Sequence, residues 1–148
     1  MIFTIPGEPE GKKRPRYSRK TGAMYTPSET VAYEKKVQAM FWAQGGKKMH
    51  DVKTLADQDG KPRECVVPLK VEIWAFIKPP ETAPMWKKGL MRLNSILPTK
   101  KPDIDNIGKI ILDGLNKAAW RDDSAVTDLI IHKRFSDEPR VVVEINEI

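Results

Sequence analysis

Residues 100–123 gather the side chains most able to handle a phosphate ester: Lys100, Lys101, Asp103, Asp105, Lys109, Asp113, Asp122 and Asp123. Asp103 and Asp105 lie two apart, a spacing that projects both side chains to the same side of an extended segment. Two carboxylates about 4 Å apart repel by roughly 4 kcal/mol at an effective dielectric of about 20, and a bound cation relieves that repulsion. Asp122-Asp123 falls in a turn after an intervening helix, so the chain can double back and offer a third carboxylate. Hard oxygen ligands with water completing the shell are what Mg²⁺ takes. Zinc lacks a ligand set, since the nitrogen and sulfur donors are only His50, His132 and Cys65.

Lys109 stands one helical turn after Asp105, and Asp113 one turn after that, so the three share a face. A lysine beside metal-binding acids can hold a phosphate, offset transition-state charge or orient water. Plainer roles compete with these. Asp105 is a good helix N-cap, Asp103 can satisfy a turn, and Asp122-Asp123 suits turn chemistry. Lys109 can also belong to an i,i+4 ion-pair ladder running on to Lys117. Asp113 and Asp128 read as structural, a helix-face acid and a strand-edge acid.

The cations point the same way. The chain has 26 Lys and Arg against 20 Asp and Glu, a net charge of +6. Residues 11–28 carry six of the cations, Lys12, Lys13, Arg14, Arg16, Arg19 and Lys20, and no acid. The rest of the chain is therefore neutral, and the basicity is a local patch. Such a patch suits a polyanion, nucleic acid first, although a solubilising loop is the plain alternative. Acids on a DNA-facing surface repel phosphate, and a metal would make them tolerable there.

The elements that must position these groups follow from periodicity. Residues 2–5 read as a short strand closed by Pro6-Gly7. Residues 11–28 read as a basic hairpin turning at Lys20-Thr21-Gly22. Its tyrosines suit base stacking and cross-strand packing equally. Thr26-Pro27-Ser28-Glu29 predicts a helix start with Thr26 as cap. Tyr33, Val37, Met40 and Phe41 then line one face until Gly45-Gly46. Residues 45–64 read as a long polar loop, and residues 66–77 as the best strand. Residues 78–102, with five prolines and five lysines, read as a flap with a short helix around Trp86–Leu93. A second clear helix spans 105–118, followed by strands at 127–135 and 140–148.

The order predicts one α+β domain over 1–148, with a small, largely antiparallel or mixed sheet and two main helices packed on it. At 148 residues the chain suits a single core. A lone cysteine excludes an internal disulfide and points to a reducing, cytoplasmic setting. Neither a signal peptide nor a membrane-spanning run is expected, so no membrane partner is foreseen.

The run Pro102-Asp103-Ile104-Asp105-Asn106-x-x-Lys109, then Leu112-Asp113-Gly114-Leu115-Asn116, then Trp120-Arg121-Asp122-Asp123-Ser124-x-Val126 resembles the RusA family of Holliday junction resolvases, often found in phages and prophages. Arg14-Pro15-Arg16, Tyr25-Thr26-Pro27 and Tyr33-Glu34 look like its phage-type members. The likeness is specific over 102–135 and looser over 1–43. It implies that Asp103, Asp105 and Asp123 are catalytic and bind Mg²⁺, or Mn²⁺ in its place, with Asp122 the alternative to Asp123. Lys109 matches the catalytic lysine. A symmetric homodimer is implied, binding branched DNA and nicking two opposed strands of a four-way junction in recombination and repair. Lys12, Lys13, Arg14, Arg16, Arg19, Lys20, Lys100 and Lys101 are then expected to bind DNA. The competing functions are a DNA-binding module without chemistry and a Mg²⁺ nuclease for other branched or single-stranded DNA.

Overall fold

A computed structural model describes residues 1–148. Four strands form the main sheet in the order β1-β8-β6-β7: β1 (Ile2–Pro6), β6 (Leu69–Ile77), β7 (Val126–Phe135) and β8 (Arg140–Glu147). β1 pairs antiparallel with β8 and β8 with β6, whereas β6 and β7 are parallel. The sheet is therefore mixed, as the α+β reading allows. A parallel pair needs a crossover, and the segment between β6 and β7 supplies it with α2 (Met85–Arg92) and α3 (Ile104–Leu115).

Alternation in the strands decides which face is covered. Leu69, Val71, Ile73 and Ala75 of β6, with Val141, Val143 and Ile145 of β8, are all buried. On them sit Tyr33, Val37 and Phe41 of α1 (Ser28–Ala43) and Ile107, Ile110, Ile111 and Leu115 of α3, in one core cluster. α1 and α3 approach closely at Gly114, where a Cβ would lie 2.9 Å from Val37 Cβ and 3.0 Å from the Glu34 carbonyl oxygen. The other sheet face carries Trp74, stacked on His132 at 3.9 Å, and Phe76 under the Arg140 guanidinium at 4.2 Å.

Three expectations need correction. Residues 45–64 are not one long loop: β4 (Val52–Ala56) and β5 (Pro62–Val66) form a separate antiparallel hairpin. Its turn is set by Asp57, whose side chain accepts the backbone N–H groups of Asp59 and Lys61 at 3.0 and 2.9 Å, and by Gly60 at φ 74°. Asp59-Gly60 was the available signal. At the start of α1, Pro27 rather than Thr26 occupies the cap position, with no side-chain capping bond. At the start of α3, Asp103 holds that position and Asp105 lies within the first turn. Asp105 is therefore not the cap. The expected basic hairpin is present as β2 (Arg16–Tyr17) and β3 (Met24–Tyr25), with both tyrosines exposed.

Candidate active site

The crossover delivers the start of α3 to the carboxyl end of the parallel pair β6–β7, where Lys133 Nζ donates to the Lys100 carbonyl just before the helix. Gly108 lets α3 lie close on β7: a Cβ there would meet Ile131 Cδ1 at 2.6 Å. Gly11 performs a similar service for the basic segment. A Cβ at 11 would sit 3.1 Å from Pro102 Cβ and 3.2 Å from Asn106 Cβ, and the next residue's N–H donates to the Asn106 carbonyl at 2.9 Å. Residues 11–16 thus lie along the first turn of α3. The two segments enclose a groove of about 760 Å³ between Gly11–Arg16 on one side and Lys101–Asp103 with Asn106 on the other, with no hydrophobic residue in its lining.

Asp103 borders this groove. Its side chain makes no capping hydrogen bond although it stands at the cap position, and no lysine or arginine pairs with it within 4.0 Å. Asp105 is exposed and accepts from Lys109 Nζ at 3.3 Å. That bond is the first cause holding the Asp105 carboxyl below its usual value. The predicted pair on one helical face therefore forms. The alternative ladder does not continue to Lys117, which lies beyond the helix at φ 66°.

At the other end of α3 the arrangement differs. Lys12 reaches inward to an ion pair with Asp113 and a second with Glu34 at 3.3 Å, joining α3 to α1. Burial works against the Lys12 charge, and the bond to Asp113 leads the contacts that outweigh it, so its pKa is raised. Lys13 pairs with Glu29. Arg14, Arg16, Arg19, Lys20, Lys100 and Lys101 have no carboxylate partner. The expected DNA-binding set thus divides into two cations already engaged by acids and six available ones.

Asp122 and Asp123 precede β7. Trp120 anchors their turn: it is buried, and its Nε1–H donates to Asn116 Oδ1 at 2.9 Å. Ser124 Oγ donates to Asp122 Oδ2 at 3.1 Å and leads the causes lowering the Asp122 carboxyl. Asp123 is raised, first by burial, then by its bond with Asp122 and by the charges of Asp122 and Asp113. Asp113, read from sequence as structural, is thus both the anchor of Lys12 and an acid bearing on Asp123.

The three aspartates expected to converge are not gathered by one chain, and no three His, Cys, Asp or Glu side chains are arranged to hold a metal ion. The topology explains this. Asp103 bears on the Lys133 ammonium near the carboxyl end of β7, whereas Asp123 stands before its first residue. Residues 126 to 133 of a strand span about 23 Å at about 3.3 Å per residue. Helix geometry agrees, since Asp113 lies about 12 Å beyond Asp105 along α3. The donor set left within one chain is Asp103 and Asp105. Asp103 at the groove edge and Asp105 in the first turn of α3 are hard oxygen donors of the kind Mg²⁺ takes, and that ion commonly binds through one or two carboxylates with water completing its shell.

A family model described as endodeoxyribonuclease RusA matches residues 6–146. A Bacillus subtilis (strain 168) protein named as the uncharacterized protein YqaN is 32% identical over 156 aligned positions, covering 99% of this chain and 95% of that one. No helix is long and apolar enough to cross a membrane. With the Asp103-x-Asp105 start of α3, its Lys109 and the basic groove in place, the match across nearly the whole length means that the chain belongs to the RusA endodeoxyribonuclease family.

Proposed function

We propose that the chain is a Mg²⁺-dependent endonuclease that resolves four-way DNA junctions as a symmetric homodimer, making paired phosphodiester nicks. The observation that carries this reading is Asp103, which forms no ion pair, at the edge of a groove also lined by Lys12, Lys13, Arg14, Arg16 and Lys101. Arg14, Arg16 and Lys101 hold phosphates on either side of the scissile one, and each phosphate contact releases counterions. Asp103 and Asp105 would hold the ion. When bound, it would polarise the phosphate and lower the pKa of a water nucleophile. Lys109, kept at the acid face by Asp105, counters charge that builds on the phosphoryl oxygens.

The dimer also supplies what one chain lacks. β7 is the outer strand of the sheet, and its free edge carries exposed Leu129 and Ile130. A row of unpaired N–H and C=O groups on such an edge is a template for a further strand. Two copies of β7 pairing antiparallel about a two-fold axis bring residue 123 of one chain toward residue 133 of the other. Asp123 of the partner subunit then completes the pair Asp103 and Asp105, and paired nicks follow from two composite sites related by symmetry.

Two experiments test this. Labelled four-way junction, fork, flap and linear duplex are incubated with and without Mg²⁺. We expect junction cleavage only with metal, and its loss in Asp105→Asn with junction binding retained. A fully active Asp105→Asn enzyme, or equal cutting of linear duplex, rejects the junction reading. Mixing inactive Asp105→Asn with inactive Asp123→Asn protein should restore single nicks, because each mixed dimer regains one intact composite site. No restoration after confirmed subunit exchange rejects the shared site. A binding module without chemistry has one observation in its favour, the absence of a three-acid cluster in a single chain, and junction binding with no cleavage in the presence or absence of Mg²⁺ would establish it.

A further inference from the structure

A second cavity lies next to the groove and shares only Lys101 with its lining. It encloses about 490 Å³ under the 78–102 flap, within the usual range for small-molecule sites. Its floor is apolar. Ile77 and Phe135 close the carboxyl ends of β6 and β7, while Met91, Ile96 and Leu97 come from α2 and the segment after it. Its rim is cationic, with Lys78, Lys87, Lys100 and Lys101, and no acidic residue lines it. Lys78 lies 3.5 Å from Glu81; the other three lysines have no carboxylate partner. Lys101 belongs to both the cavity and the groove, so one continuous basic path runs past Asp103 into an apolar recess.

An apolar lining joined by three unpaired ammonium groups, those of Lys87, Lys100 and Lys101, selects a ligand with a flat apolar body and a phosphate. We propose that this cavity receives an unpaired nucleotide of the bound DNA strand, its base on the Phe135–Met91 floor and its flanking phosphates on Lys87, Lys100 and Lys101. The inference extends the reading of the chain as a DNA-cutting enzyme: a base displaced from its stack near the cut enters the recess, and the scissile phosphate is placed relative to Asp103. Branched DNA lowers the cost of extruding a base, because the continuous stack of an intact duplex is already disturbed at the branch point. The base contact adds an apolar, salt-insensitive term to a phosphate term that salt weakens.

The test uses the full-length protein without metal and two five-nucleotide strands, one of thymidines and one identical but abasic at its centre. Wild type is expected to bind the all-thymidine strand about tenfold more tightly, the scale of one well-seated base. That ratio should persist as salt is raised, while both affinities fall together. Thr82→Trp and Ala83→Trp, which put an indole into the mouth of the cavity, should bring the ratio to one and leave abasic-strand binding unchanged. Equal binding of the two strands by wild type, or a ratio that disappears with salt, overturns the proposal without use of any variant. Neither strand is a junction and neither is cut, so a negative result here leaves junction cleavage standing. A positive result likewise survives failure of the cleavage experiment.

Discussion

Lys12 and Arg14 are two residues apart in the same acid-free stretch, yet they do opposite work. Lys12 turns into the molecule and ties Asp113 on α3 to Glu34 on α1. Arg14 and Arg16 line the groove and form no ion pair, although Asp103 borders the same groove and the Arg16 charge bears on Glu29. Charge counting treats all six cations of 11–28 alike. The structure separates an ammonium already paired with carboxylates, which ties two helices together, from neighbours along the same groove that have no ion-pair partner. The same division recurs in the flap, where Arg92 is held by Asp137 at 2.7 and 3.1 Å while Lys87, Lys100 and Lys101 are free.

The largest expected effect belongs to the unpaired side. Replacing Arg14 and Arg16 together by alanine should weaken junction binding at least about tenfold at moderate salt. It should also reduce the slope of log affinity against log salt by about 2, one phosphate contact for each arginine. A junction-binding titration at several salt concentrations reads both quantities. An unchanged slope would place the DNA elsewhere and break the comparison.

Lys12→Met should do the reverse. It leaves the salt slope as in wild type but costs about 1 kcal/mol of stability in denaturant unfolding, because Asp113 and Glu34 lose their shared cation. The figure lies between those for exposed and buried pairs, in keeping with a lysine side chain 32% exposed. A lowered slope with unchanged stability would make Lys12 a phosphate contact after all.

The smallest effect concerns the flap anchor. The bond from Arg92 holds the Asp137 carboxyl below its usual 3.8. A lowered carboxylate contributes stability above its unfolded value and loses it as pH falls through the lowered one. The melting temperature of Asp137→Asn should therefore lie slightly below wild type at neutral pH, and the gap should close below pH 3.8. Both side chains are exposed, so the gap is small. A gap that widens in acid would reverse the assignment.

Much of the fold was legible because its signals are local. The alternation of residues 69–77 named the buried face of β6, and the 3.6-residue spacing of Ile107, Ile110, Ile111 and Leu115 named that of α3. The β4–β5 hairpin was legible too, through Asp59-Gly60, but its polarity suggested a loop. A two-stranded ribbon standing apart from the core can be polar on both faces. Cap positions were harder, since Asp103 and Asp105 are both good cap residues, and the structure starts the helix after Asp103 without a side-chain capping bond.

Sequence by itself determined the family, the α+β order, the Asp105–Lys109 pair and the presence of a basic hairpin, because each depends on residue types at short, fixed spacings. Tertiary structure alone decided which cations are engaged, that Asp113 bears on Asp123, and that no three acids gather within one chain. Those are relations between distant segments, fixed by the crossover that makes β6 and β7 parallel and sends α3 back along them, and no periodicity within one segment records them.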